Sequence, residues 1–110
     1  MQLKIYTIEE IAAILKVHRT YVASLIDNKK LGALKIGRFY RIRETDLEKL
    51  IGGKLDGAIL TIEDIAEILK VHRTNVAKLV REKKIKAVQI GKFYRIREKD
   101  FNAFLEESEV

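Results

Sequence analysis

Lys16-Val-His-Arg-Thr-Tyr-Val-Ala-Ser-Leu-Ile26 occurs twice in this chain, returning 54 positions later as Lys70-Val-His-Arg-Thr-Asn-Val-Ala-Lys-Leu-Val80. Val22, Leu25 and Ile26 are spaced i, i+3 and i+4, the mark of one buried helix face. Arg19, Thr20, Tyr21 and Ser24 fall on the opposite face, as do Arg73, Thr74, Asn75 and Lys78 in the second copy. An apolar helical pattern precedes each copy, and a Lys-Lys pair and a hairpin-like run follow it.

The duplication divides the 110 residues into two units of about 50 residues each. We place the first at residues 1–53, a linker at 54–58 and the second at 59–110. Units this small bury a limited fraction of their surface, so each needs a single compact core. The chain carries 22 basic and 16 acidic side chains, a net charge of +6. The first 53 residues hold ten basic and six acidic groups, the remainder twelve and ten. Two positive halves suit a shared polyanionic partner. Without cysteine, disulfides and thiolate metal sites are excluded. No run approaches membrane-spanning length and the first residues lack a signal-peptide pattern, so a soluble, cytoplasmic protein without membrane contact is expected.

In chain order, Leu3–Tyr6 alternates as a short strand. Thr7-Ile-Glu-Glu10 reads as a capping box opening a helix over Ile8–Leu15, with Ile8, Ile11, Ala12 and Leu15 inward. Thr61 and Asp64 repeat the device, although Asp reaches less far than Glu. Helix 2 should cover Arg19 to about Asn28, with His18 at a cap position where Ser, Thr or Asp is preferred. A third helix is expected over Glu44–Ile51 and again over Glu98–Glu106. Leu47, Leu50 and Ile51, and then Phe101, Phe104 and Leu105, should face inward. Gly52-Gly53 closes the first unit, Ile59-Leu60 replaces the opening strand, and the acidic tail after Leu105 should fray.

Ala33–Arg43 is a hairpin whose loop length follows from its apolar pattern. A two-residue loop would set Leu34 opposite Arg41 and bury an arginine. A three-residue loop, Gly37-Arg38-Phe39, pairs Ile36 with Tyr40 and Leu34 with Ile42 instead. We expect the three-residue loop, with Leu34, Ile36, Tyr40 and Ile42 on the core face. Val88, Ile90, Tyr94 and Ile96 follow the same logic. Phe39 and Phe93 then stand at a wing tip, either folded back onto protein or available to enter a minor groove.

This order of helix, turn, helix, hairpin and short helix resembles the excisionase-type, MerR-like winged helix-turn-helix domain. The resemblance rests on Thr7-Ile-Glu-Glu-Ile-Ala, Leu15-Lys-Val-His-Arg-Thr, Lys35-Ile-Gly, Tyr40-Arg-Ile and Asp46-Leu47, with their second-copy equivalents. Two departures stand out: His18 and His72 replace a common Ser, and prolines usual at 32 and 43 and at 86 and 97 are missing. The resemblance implies an α+β, mainly helical fold of two tandem winged helix-turn-helix units. It also implies double-stranded DNA binding, in transcription control or as an accessory factor in site-specific recombination.

Arg19, Thr20, Tyr21 and Ser24, with Arg73, Thr74, Asn75 and Lys78, are the candidate groove contacts. Arg38, Arg41 and Arg43, with Lys92, Arg95 and Arg97, are candidate phosphate contacts on the wings. Because the outward pairs Tyr21/Asn75 and Ser24/Lys78 differ, the two helices should read different base pairs. About eight connecting residues span at most roughly 28 Å, which keeps the modules on neighbouring groove segments. One histidine per unit is too few for a conventional metal site. Ser24 and Ser108 lack a matching base and acid, and no Gly-rich phosphate loop exists, so no enzyme activity, cofactor or small-molecule ligand is expected. Oligomerisation is left open. The rival reading is a protein-interaction adaptor built on winged helices, with incidental DNA affinity.

Overall fold

The computed structural model describes residues 3–110, in two compact units divided between Lys54 and Leu55. The first unit contains β1 (Ile5–Tyr6), α1 (Ile8–Leu15), α2 (Arg19–Asp27), β2 (Leu34–Ile36), β3 (Phe39–Arg43) and α3 (Glu44–Ile51). The second repeats the order with β4 (Ile59–Leu60), α4 (Ile62–Leu69), α5 (Arg73–Arg81), β5 (Val88–Ile90), β6 (Phe93–Arg97) and α6 (Glu98–Glu107). Each unit holds a small antiparallel sheet, ordered β1-β3-β2 or β4-β6-β5. Residues 54–58 form neither helix nor strand.

The helices begin where their side chains can satisfy the free amides of a first turn. Thr7 Oγ1 accepts from the Glu10 amide at 3.0 Å, and the Glu10 carboxylate accepts from the Thr7 amide at 2.9 Å. Asp64 completes the same box with Thr61 at equal distances, so the shorter acid reaches after all. α1 ends at Lys16, whose left-handed backbone (φ 58°) lets its amide and that of Val17 close on Ala12 and Ala13 carbonyls. Lys29, Lys70 and Lys83 adopt the same conformation. These left-handed lysines turn the chain without glycine, a device that carries no strong sequence signal. α3 instead closes on Gly52 at φ 85°.

The burial pattern follows the helical spacing. Ile11, Leu15, Val22, Leu31, Ile42, Leu47 and Ile51 make up the fully buried centre of the first unit. In the second, Ile65, Val76, Val80, Ile85, Ile96 and Phe101 belong to one cluster that Leu69, Tyr94 and Phe104 flank. Ile42 and Ile96 carry the sheet into these cores, and each buried aliphatic side chain contributes roughly 1.5–3 kcal/mol.

The hairpin register differs from the expected one. Ile36 pairs with Phe39, Lys35 with Tyr40 and Leu34 with Arg41, and the second hairpin is identical in register. The loop is therefore the two residues Gly37-Arg38, or Gly91-Lys92. Only the glycine of each pair has positive φ, as a glycine-first II′ turn requires. Leu34, Ile36, Tyr40 and Ile42 thus do not share a face, and Ile36 is exposed. The arginine opposite Leu34 is half-buried, and its polar head has partners. Arg41 Nη1 donates to the Tyr40 carbonyl at 2.8 Å, and its guanidinium lies 5.3 Å from the Phe39 ring centre.

One smaller expectation at the C-terminal end also fails: Leu105 is exposed rather than inward. α6 runs to Glu107. The Ser108 hydroxyl donates to the Phe104 carbonyl at 2.7 Å and closes that last turn.

Candidate nucleic-acid interface

The N-terminal turn of α2 is set by a histidine cap. His18 Nδ1 accepts from the Thr20 amide at 3.2 Å and lies 2.8 Å from Thr20 Oγ1. Nδ1 thus takes the place of a cap oxygen for one free first-turn amide. His72 and Thr74 reproduce the arrangement at 3.2 and 2.9 Å. Imidazole therefore replaces the usual hydroxyl or carboxylate cap, and Arg19 and Arg73 become the first helical residues. Both arginines project into solvent.

Neither guanidinium is a loose cation. Arg19 Nε donates to Glu9 Oε2 at 3.0 Å, and Arg73 Nε donates to Glu63 Oε2 at 2.9 Å. Each glutamate sits on the first turn of the preceding helix, where its own backbone amide is the main influence holding its carboxyl below the ordinary value. Arg19 or Arg73 contributes next, and Arg41 or Arg95 adds a weaker pull. Glu9 and Glu63 were not among the expected site residues. Their signal was a Glu ten positions before the Arg, present in both copies.

The remaining candidates divide by environment. Thr20, Ser24, Thr74, Asn75 and Lys78 are exposed on the outer helix faces, whereas Tyr21 is half-buried. Arg38 and Lys92 occupy the turns, with their charged heads 5.3 and 5.5 Å from the Phe39 and Phe93 ring centres. Phe39 and Phe93 are thus strand residues beneath cations rather than loop tips. Arg95 is 8 % exposed, donates to the Tyr94 carbonyl at 2.7 Å and lies over Phe93 at 5.1 Å. Burial works against its charge, while Glu63 and Asp64 favour it. Arg43 and Arg97 pair with Asp46 and Asp100, each at 3.0 Å. These pairs brace the junction between wing and third helix.

In the second unit α4, α5 and the wing enclose an open groove of about 530 Å³. Glu63, Arg73, Arg81, Lys92, Phe93 and Arg95 are among its lining residues. Arg81, one of three basic groups there from α5 and the turn, has Asp27 as its first-unit counterpart, so its role had no repeat signal. Among the described residues, no helix is long and apolar enough to cross a membrane.

A family model described as "Helix-turn-helix domain" matches the chain twice, at residues 5–54 and 59–109. No match was found among curated proteins or among solved structures. The family is one of DNA-binding domains and is generally not enzymatic. Two matches covering nearly all of the sequence, on two units that each present a capped second helix beside a basic wing, place the chain in the excisionase-type helix-turn-helix family as a DNA-binding protein.

Proposed function

We propose that the chain binds double-stranded DNA as a transcriptional regulator, or as an excisionase-like accessory factor in recombination, through two adjacent half-sites. The observation that carries this reading is the repeated, solvent-facing Arg-Thr turn at the start of α2 and α5. In both copies an ion pair orders its arginine. α2 and α5 lie in the major groove, with Arg19, Thr20, Tyr21 and Ser24 on one half-site and Arg73, Thr74, Asn75 and Lys78 on the other. Arg38, Arg41 and Lys92 meet phosphates, and the exposed Arg43 is within reach of the backbone. Arg95 and Arg97, being buried, shape their wing rather than touch the duplex. The differing outward residues suit an imperfect, directly repeated site, and a short tether raises the local concentration of the second module.

Selection of bound duplexes from a random pool, followed by footprinting, tests this. If about six phosphates are neutralised, log K should fall against log salt with a slope near −5. Arg19→Ala and Arg73→Ala should each remove protection over one half of the footprint. Binding that ignores salt, or no selected sequence, favours the adaptor reading.

A further inference from the structure

We infer that Glu9 and Glu63 are specificity-determining residues that act through Arg19 and Arg73. This inference rests on the DNA-binding reading above. Each carboxylate takes the Nε–H of its arginine at 3.0 or 2.9 Å. Among the described residues, neither guanidinium makes another hydrogen bond or ion pair. The guanidinium is thereby pinned at one edge, and its distal Nη1–Nη2 fork is left to donate. That fork matches the O6 and N7 acceptors of guanine in the major groove. An unpinned arginine on a surface helix would instead sample many rotamers and settle on whichever phosphate lay nearest.

The charge of the carboxylate works in the same direction. Glu9 and Glu63 are more than half exposed on the face that carries the reading arginines. An anion there repels phosphate, so it weakens sequence-independent binding, which is largely electrostatic. The same group lowers the ordering cost of the one contact that reads a base. A lone surface ion pair contributes little to stability, so keeping the same pair in two diverging copies has little value to the fold. Its value lies in discrimination: less affinity for any duplex, more for the right one.

The test compares Glu9→Gln/Glu63→Gln, Glu9→Asp/Glu63→Asp and the parent on one selected site and on a random duplex. Glutamine removes the charge, so random-duplex affinity should rise severalfold while the specific-to-random ratio falls about tenfold, the worth of part of a bidentate base contact. Aspartate keeps the charge but is too short to hold Nε. It should lose the same discrimination without the gain in random binding. In an Arg19→Ala/Arg73→Ala background the glutamine changes should no longer alter base preference, because the coupling runs through the arginines. Far-ultraviolet circular dichroism verifies that each variant is folded. Unchanged discrimination in the folded Gln and Asp variants overturns the inference and leaves the DNA reading intact. Base preference that still shifts in the arginine-free background overturns it also. A parent chain that binds no duplex overturns both.

Discussion

The strands Phe39–Arg43 and Phe93–Arg97 have the same five residues and the same hairpin register, yet their surroundings differ. Ile36, paired with Phe39, is 56 % exposed, while Ile90, paired with Phe93, is 2 % exposed. The Arg43 side chain is 53 % exposed and that of Arg97 only 10 %, although both meet an aspartate three residues on. Strand pairing is thus a local property that survives duplication unchanged. Burial is not local: Ile90, Arg95 and Arg97 are buried where Ile36, Arg41 and Arg43 are not. The same guanidinium is a reachable cation at one position and an internal brace at the other.

The comparison makes unequal demands on stability. Ile90→Ala should destabilise by about 3 kcal/mol, a typical value for truncating a buried aliphatic side chain. Ile36→Ala should stay within about 0.5 kcal/mol, as exposed substitutions do. Urea unfolding of the two single variants measures the contrast, and equal losses would break it. The next effect is at the paired arginines. Arg97→Ala leaves a largely buried Asp100 without its charged partner and should cost about 2 kcal/mol. Arg43→Ala also leaves a buried Asp46 without its partner, but water already reaches that pair through the half-exposed guanidinium, so it should cost less, about 1 kcal/mol. Similar values at the two sites would mean that burial of the arginine is immaterial.

A third pair should behave alike. Lys16 and Lys70 hold left-handed backbone at φ 58° and 59°, which strains any residue with a Cβ. Lys16→Gly and Lys70→Gly should each raise stability by about 1 kcal/mol in the same unfolding measurement, after allowing for the greater freedom of glycine in the unfolded chain. Unequal gains would place the asymmetry of the repeats in their turns as well as their wings. The smallest effect concerns pH. The Glu9 and Glu63 carboxyls are held below their ordinary value in the fold, so they stabilise it above the unfolded carboxyl range. That contribution disappears as pH falls through the folded value. Glu9→Gln/Glu63→Gln should therefore melt slightly below the parent at neutral pH, and the gap should close in acid. A gap constant across pH would exclude the ion pairs as its source.

Much of this was legible before any coordinates. Capping boxes, the i, i+3, i+4 faces and the glycine stop after Ile51 are short-range devices, and the 54-residue repeat allowed each to be read twice. The hairpin register departs from the apolar pattern because that pattern treats an arginine as wholly polar. Its guanidinium lies over the Phe39 ring and has a carbonyl to bond, a compromise invisible to a pattern that sorts residues into two classes. Glu9 escaped notice because its partner Arg19 lies ten residues on, beyond the spacing of side chains along one helix.

The sequence alone determined the number of units, the helices and their caps, the family and the outward face of α2 and α5. All of these depend on groups within a few residues of one another, or on plain repetition. Only the tertiary structure decided which wing residues are buried, which arginines are internal braces and which carboxylates pair with Arg19 and Arg73. Those outcomes depend on what lies beside a residue in space, and two identical pentapeptides in different surroundings have no means of encoding it.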